Sequence, residues 1–380
     1  MLYAFKTTLT IIASTITFAV LTSVPSNAAS LYSITNLGVL GTDADGRDNS
    51  QAYGINNNGQ VVGSSSTTRF QRPFIWDRQN GLKIIADSQS IESPFGESVA
   101  TGINDKSQVI GLSVTGRQTI YSFLWDAKNG IQRVEALPTQ PTLLYERAYD
   151  INNKGEVVGS SDIIGGTRGF LYDSANPQNP VMDLGIFGLN EYNYAFTIPY
   201  GINDLSEVVG SSDGKVFLWD RTQGLQDLGL SGTAYDINNS SQVVGVTLIN
   251  NQGIAFIREK NGNLQTLGVL GSGGNGETLS IAYDINEKGQ VIGTSTSALG
   301  NRPVLWENNA IADLNNLIPS NSGWNLDTVT AINDQGLIVG TGRIDGKTRA
   351  FLLTPKSVPE PAMTSAFILF AAILVIKRCL

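Results

Sequence analysis

Carboxylates are the residues of this chain that could perform chemistry. The sequence contains no histidine, and its one cysteine is Cys379, so neither a Ser/His nor a Cys/His nucleophile can form. Paired Asp or Glu side chains could still act as acid and base in a glycoside hydrolase or a polysaccharide lyase. Spacing alone pairs no two of them, so we expect a non-catalytic protein. The carboxylates that would serve the enzymatic alternative are Glu97, Glu146, Asp162, Glu191 and Asp213.

Aromatic residues form a second set, with binding chemistry. Segment 186–199 reads IFGLNEYNYAFTIP, and Trp324 lies in a similarly polar stretch. Flat aromatic faces beside amide and carboxylate groups suit sugar rings, which offer apolar faces and hydroxyl edges. The alternative is that these side chains seal contacts between neighbouring structural units. The candidate ligand-binding residues are Tyr192, Tyr194, Phe196 and Trp324.

Three aspartates resemble part of a calcium loop. Asp43, Asp45 and Asp48 are closely spaced, but the EF-hand pattern requires Asp or Asn at Arg47 and a later Glu that does not follow. The commonest zinc ligand, histidine, is missing from the whole chain. We therefore expect no metal or other cofactor, with calcium at these aspartates as the alternative.

A sevenfold repeat must position all of these residues. Ile-Asn, a few polar residues and a Val-rich run ending in Gly recur about every 46 residues. A unit of this size cannot bury its own apolar face, so it must stack on its neighbours. The repeated pairs, always seven residues apart, are Asn56/Gly63, Asn104/Gly111, Asn152/Gly159, Asn203/Gly210, Asn238/Gly245, Asn286/Gly293 and Asn333/Gly340.

Each repeat holds four short runs rich in β-branched and aromatic residues, which in the first copy cover 52–55, 60–64, 73–76 and 82–86. Such runs, bounded by Asn, Gly and Asp, predict antiparallel strands joined by tight turns. An Asn that opens a turn can bond the backbone two residues on, so we expect the repeated Asn to be structural. We interpret the acids that close the third run as turn caps too: Asp77, Asp126, Asp173, Asp220, Glu259 and Glu307.

The strand count predicts a closed ring. No fourth run follows Phe351, whereas a run of the fourth type, 31–38, precedes the first repeat; its end, LGVLG at 37–41, recurs at 267–271. An open array would expose the edges of both partial units. We therefore predict an all-β fold: a seven-bladed β-propeller of four-stranded antiparallel blades, closed by the N-terminal strand and covering 30–355. A parallel β-helix is the alternative.

Loop lengths point to one face of this ring. Because strands alternate in direction, the first and third turns of each blade share a face, and the second turns and blade-to-blade loops share the other. The first turn has a constant length, while the loops on the second face vary. Binding residues are usually found in variable loops on a rigid scaffold. Segment 186–199 and Trp324 are both predicted on this variable face.

The two ends have targeting features. Residues 1–29 contain Lys6, an apolar run at 9–21 and a small-residue site, which predicts a signal peptide cut after Ala28 or Ala29; a retained anchor is the alternative. The tail, 356–380, has the triplet Pro359-Glu360-Pro361, an uncharged stretch at 362–376 and a basic end. Fifteen uncharged residues only just cross a membrane core, which favours a short stop-transfer signal.

Two resemblances follow from these motifs. The tail resembles the PEP-CTERM sorting signal, which implies recognition by an exosortase, a membrane-embedded processing enzyme, and delivery to the cell surface or extracellular matrix. A plain C-terminal anchor is the alternative. The runs AYGINNNGQVVGSS and FLWD resemble the HAF family of bacterial extracellular repeats. The His-Ala of that family is replaced here, for example by Arg72-Pro73, and the resemblance implies no established reaction.

Charge and location together set the expected function. The net charge of −8 repels phosphate backbones, which argues against nucleic acid as a partner. The membrane would be touched only through the C-terminal span before processing. We expect an exported, non-catalytic propeller at the surface or in the matrix, acting as a binding or structural module for polysaccharide or a surface protein. The alternative is a carbohydrate-active enzyme on the same scaffold.

Overall fold

The computed structural model describes residues 30–43, 45–85, 97–114, 120–137, 145–189, 191, 193–274 and 276–356. These residues form β-strands and one 3₁₀ turn, Leu314–Asn316. Within these ranges no helix has the length and apolar character needed to cross a membrane. The predicted signal peptide and sorting tail, with Ala28, Ala29, Pro359, Glu360 and Pro361, lie outside the described residues.

The strands follow the repeats in order. The first strand, β1 (Tyr32–Asn36), precedes them. The first three repeats contain β2 (Ser50–Ile55), β3 (Val61–Ser66), β4 (Gln71–Asp77) and β5 (Gly81–Ile84); β6 (Ser98–Ile103), β7 (Val109–Val114), β8 (Ile120–Asp126) and β9 (Gly130–Arg133); and β10 (Glu146–Ile151), β11 (Glu156–Ile163), β12 (Gly166–Asp173) and β13 (Val181–Asp183). The next two contain β14 (Ala195–Ile202), β15 (Val208–Ser212), β16 (Lys215–Asp220) and β17 (Gly224–Ile237), then β18 (Val243–Ile249), β19 (Gln252–Arg258) and β20 (Leu264–Thr266). The last two contain β21 (Ser280–Ile285), β22 (Val291–Ser297), β23 (Gly300–Glu307) and β24 (Ala310–Asp313), then β25 (Asn325–Ile332), β26 (Ile338–Ile344) and β27 (Lys347–Pro355).

Pairing is antiparallel within each repeat and runs from its first strand to its last, as in β2-β3-β4-β5. The three middle repeats are joined into one larger sheet for two reasons. β14 makes a short parallel contact with β12, and β17 continues from the outer strand of one repeat into the inner strand of the next.

The N-terminal strand closes the ring. β1 pairs antiparallel with β27, from Tyr32 opposite Pro355 to Asn36 opposite Phe351, and so supplies the strand that the last repeat lacks. Ion pairs reinforce the same junction, because the carboxylate of Asp48 lies 2.8 Å from Lys347 Nζ and 2.7 Å from Arg349 Nη2. The predicted all-β propeller with four-stranded antiparallel blades, closed by the N-terminal strand, is confirmed.

The core lies between neighbouring repeats, and its largest fully buried side chains are phenylalanines of the third strands: Phe74, Phe123, Phe170, Phe217, Phe256 and Phe351. The repeated Gly makes room for them. A Cβ on Gly63 would lie 1.9 Å from the carbonyl oxygen of Gln51 and 2.9 Å from the Phe74 ring. Where Val304 replaces the Phe, the ring of Trp306 takes that place beside Gly293. Close packing therefore explains why this position of the second strand is Gly in every repeat.

The closeness of this contact generates a test. Gly111→Ala would place a Cβ 2.2 Å from Val99 O and 2.3 Å from Phe123 Cζ, so we expect the free energy of unfolding to fall by about 1–3 kcal/mol. Gly271→Ala is the control, because its Cβ would have no neighbour within 4 Å. Urea unfolding measures both, and equal stability of the two variants would contradict this account of the repeated Gly.

Candidate functional site

The repeated Asn holds its own turn. Asn56 Oδ1 accepts the main-chain N–H of Asn58 at 3.1 Å and that of Gln60 at 2.9 Å. The same two bonds form at the other six repeats. The predicted structural role of this residue is confirmed. The predicted caps at Asp77, Asp126, Asp173 and Asp220 also accept main-chain N–H groups.

The same Asn also reaches the next repeat. Asn56 Nδ2 donates to the carbonyl oxygen of Asn104, and Asn333 Nδ2 returns to the carbonyl oxygen of Asn56. All seven bonds are 2.9–3.1 Å long, and together they form a closed circle. The sequence predicts the local turn-forming role of this residue but not the second bond, because its acceptor belongs to another repeat.

A second circle lies at the mouth of the central channel, one residue further along each turn. Its members are Asn57, Asp105, Asn153, Asp204, Asn239, Glu287 and Asp334. The main-chain N–H of each donates to the side-chain oxygen of the next at 2.7–3.0 Å. Amides and carboxylates alternate around this circle, except that Glu287 and Asp334 are adjacent because the number of positions is odd.

Inside the channel, three aspartates bridge successive repeats. Asp150, Asp236 and Asp284 occupy a position of the first strand where three other repeats have Gly. Their Oδ2 atoms accept main-chain N–H groups of the following repeat, from Ile202 at 2.9 Å, Ile285 at 3.0 Å and Ile332 at 2.7 Å. Sequence reasoning did not single out these aspartates, although Asp in place of Gly at three copies was a visible signal.

Burial changes the protonation of these carboxyl groups. Enclosure by protein raises the pKa of Asp150 to about 7, and the charge of Asp236 adds to this rise. The pKa values of Asp236 and Asp284 are raised as well, chiefly by burial, and the charge of Asp284 adds to the rise at Asp236. Asp150 and Asp236 line the central cavity of about 180 Å³, and removal of these carboxyl groups from bulk water is the main cause of their higher pKa values.

In most first strands a tyrosine directly precedes the position of these aspartates, as Tyr149 precedes Asp150. In all seven repeats an extra residue at the tyrosine position interrupts the register of the first strand with the second, a β-bulge, and it is a tyrosine in five repeats and a threonine in two. Ring centroids of Tyr149 and Tyr200, and of Tyr200 and Tyr235, are 5.2 Å apart, and Tyr283 follows at 5.9 Å from Tyr235. Burial raises the pKa of Tyr200 to about 12. Channel side chains are thus engaged mainly with one another.

The predicted aromatic residues have different positions. Tyr194 and Phe196 are 47% and 44% exposed, and their rings are 6.4 Å apart at an angle of 17°. Trp324 lies in the last repeat, half-buried, with its ring edge-on to Phe351 at 6.0 Å. Tyr192 lies outside the described residues. The structure therefore brings Tyr194 and Phe196 together and places Trp324 in the packing around another repeat.

The five candidate carboxylates do not form one cluster. Glu146 is buried and bonded to Arg133 at 2.9 Å, and Glu97 borders a separate apolar cavity between the second and third repeats. Asp213 lies beside Phe196 and accepts its N–H at 3.2 Å. Asp162 lies across strand β12 from Phe196 and accepts the hydroxyl of Thr167, the residue opposite Phe196. Glu191 is exposed in the same loop.

The aspartates of the possible calcium loop have local partners. Asp43 Oδ1 accepts the N–H groups of Asp45 at 3.0 Å and Arg47 at 2.8 Å, and Asp45 lies 3.7 Å from the guanidinium of Arg47. Asp48 joins the ring-closing ion pairs, where hydrogen bonds from Lys347 and then Arg349 lower its pKa. Across the described ranges, no three acidic side chains converge so as to hold a metal ion.

Comparison with protein families gives one partial match. Residues 42–183 are similar to a family described as "Protein of unknown function (DUF3466)". No curated protein sequence matches the chain. The match covers the first three repeats, up to the end of β13, and the family description names no activity.

Comparison with solved structures supports the fold. The β-propeller domain of the Trilobed protease from Pyrococcus furiosus is 9% identical, with 80% of this chain and 95% of that chain covered and a TM-score of 0.51. A gluconolactonase from Xanthomonas campestris is 8% identical over 85% of this chain and 89% of that chain, with a TM-score of 0.41. An acylaminoacyl peptidase from Pyrococcus horikoshii is 11% identical over 87% and 54%, with a TM-score of 0.48. At such identities the likeness concerns fold alone.

The buried channel acids generate a pH test. The folded protein holds the proton of Asp150 more tightly than the unfolded chain, so its stabilising effect is complete below about pH 4 and is lost as pH rises to about 7. Asp150→Asn removes this pH dependence of stability, and at every pH it leaves one hydrogen-bond acceptor fewer at this position. We expect the stability of the variant relative to wild type to increase between about pH 4 and pH 8 in urea unfolding. A difference that does not change with pH would contradict the assignment.

Proposed function

We propose that this chain is an exported, non-catalytic propeller of the cell surface or extracellular matrix that binds polysaccharide through Tyr194 and Phe196. We call this pair the aromatic platform. The observation that carries the proposal is the nearly parallel arrangement of the two rings, each with almost half of its surface exposed. Aromatic faces of this kind match the apolar faces of sugar rings.

The platform is held before any ligand arrives. The N–H of Phe196 donates to Asp213 Oδ1, and the N–H of Asp213 donates to the carbonyl oxygen of Phe196 at 2.9 Å. On the other side, Ala195 and Phe196 pair with the start of β12, and the N–H of Ala195 donates to Gly165 O. A fixed platform loses little conformational entropy on binding. The neighbouring turn adds an apolar side chain, Ile164, which is 71% exposed.

The position of the platform suits a protein attached at its C-terminus. β27 runs toward the face that carries the asparagine turns, and the N–H of Lys356 donates to Leu31 O at that end. The platform lies on the opposite, variable face, beside the turns between second and third strands. A sorting tail that begins after Lys356 would therefore hold the platform away from the membrane. The resemblance of that tail to a PEP-CTERM signal supports export and surface delivery.

One observation favours the enzymatic alternative. Asp236 and Asp284 hold the same position in neighbouring repeats and have raised pKa values, and glycosidases use a carboxyl group with a raised pKa as general acid. In our proposal they join repeats instead, since each accepts an N–H from the repeat that follows. The two functions differ in product formation: a carbohydrate-active enzyme would shorten a bound glycan, and Asp284→Asn would stop it.

Replacement of the platform tests binding directly. Phe196→Ala removes one ring, and we expect it to weaken glycan affinity about 5- to 10-fold, because a well-stacked ring contributes about 1–1.5 kcal/mol. Leu299→Ala is the matched control, as this side chain is 81% exposed on a turn of the same face two repeats from the platform's blade. Isothermal titration with surface polysaccharide fragments measures both. Unchanged affinity in Phe196→Ala would exclude the platform as the binding site.

A further inference from the structure

We propose that the platform binds a glycan that carries free amino groups, so that its ligand is a positively charged amino-sugar polymer. This inference rests on the proposed function and concerns the charge of the ligand. It follows from the carboxylates that border the two rings and from the partners of the nearby basic side chains.

Carboxylates lie on two sides of Phe196. Thr167 of β12 is paired with Phe196, and its hydroxyl donates to Asp162 Oδ1 at 2.8 Å. Strand β12 therefore separates Asp162 from Phe196. Asp213 is exposed and accepts the N–H of Phe196 itself. Glu191 is exposed three residues before Tyr194. The donors to Asp162 and Asp213 are a hydroxyl and a main-chain N–H, so neither of these hydrogen bonds comes from a cationic side chain.

The basic side chains of the same strands are already paired. Arg168, next to Thr167, lies 2.7 Å from Asp183, and Lys215, at the start of β16, lies 3.1 Å from Asp227. Arg147 is exposed on the innermost strand of the third repeat, opposite Ser160, and is the cation that offsets part of the acidic charge. Among the described residues around the platform, three carboxylates therefore outnumber this one cation.

This excess of negative charge determines which class of sugar polymer the platform would favour. A glycan rich in uronate or sulfate would bring negative charge to Asp162 and Asp213 and would be repelled. A fully neutral glycan would gain stacking alone. A glycan with ammonium groups would gain stacking together with charge-assisted hydrogen bonds to the carboxylates. The net charge of −8 on the whole chain also attracts a cationic polymer over longer distances.

The test compares oligosaccharides that differ in charge. Titration of the full-length chain at mildly acidic pH would use deacetylated chito-oligosaccharides, their N-acetylated forms and alginate oligosaccharides. We expect the deacetylated form to bind at least about 10-fold more tightly than the acetylated form, with alginate weakest, and this preference to shrink as salt increases. Asp162→Asn should reduce the preference, since the amide can still accept the Thr167 hydroxyl but carries no charge, while Asp213 and Glu191 are unchanged. Phe196→Ala should weaken both chito-oligosaccharides alike.

The outcomes separate this inference from the function it rests on. Equal affinity for the acetylated and deacetylated forms, tightest binding of alginate, or a preference that Asp162→Asn leaves intact would overturn the charge assignment. The aromatic platform would stand in each of these cases if Phe196→Ala still weakened binding. If Phe196→Ala binds as tightly as wild type, or if no glycan binds at all, both the charge assignment and the aromatic platform would be overturned. A thermal melt of each variant shows that its fold is retained.

Discussion

The hydrogen bond from each repeated Asn to the next is the constraint on which this structure depends. One side chain uses its oxygen to hold its own turn and its nitrogen to hold the neighbouring turn. Because the seventh Asn bonds to the first, the circle has no free end. A repeat with a longer or shorter first turn would misplace both its donor and its acceptor. The constant spacing of the motif is therefore a consequence of closing the circle.

Closure of the circle brings the first strands together around a narrow channel. At three positions an aspartate accepts an N–H group of the neighbouring repeat, and in return the carboxyl group loses hydration and holds its proton up to higher pH. Where the residue is Gly, as at Gly201, the next repeat approaches so closely that a Cβ would lie 2.8 Å from the Cα of Asp236. The channel is thus built by contacts between repeats, and the variable face is left free to differ from one repeat to the next.

Much of this architecture could be predicted from the sequence. The repeated sequence pattern predicted the strands of each repeat. One extra strand precedes the first repeat and one strand is missing after Phe351, and this predicted the observed pairing of β1 with β27. The inter-repeat bonds could not be predicted, because the acceptor of Asn56 Nδ2 is 48 residues away and a single repeat read alone shows only the local turn. Asp150, Asp236 and Asp284 were missed for a similar reason, since their acceptor role exists only when the next repeat is in place.

The candidate site was predicted in part. The sequence placed aromatic residues on variable loops, and two of them, Tyr194 and Phe196, lie together there. It did not show that Trp324 packs against Phe351, because this contact depends on how the last repeat meets the closing strand. Nor did it pair Asp162 and Asp213 with the platform, which requires the contact between β12 and β14. Tyr192 and the targeting segments stay predictions.

Native-state hydrogen exchange on Asn238→Asp tests the central claim that one circle couples all repeats. The substitution keeps the oxygen that accepts from Ser240 and Gln242 and removes the Nδ2 donor to Asn286. The main-chain N–H groups to follow are those bonded to each Asn Oδ1, for example at Gln60, Glu156 and Leu337. The account predicts that protection falls together in all seven repeats. Loss of protection confined to the repeats that contain Asn238 and Asn286 would contradict it.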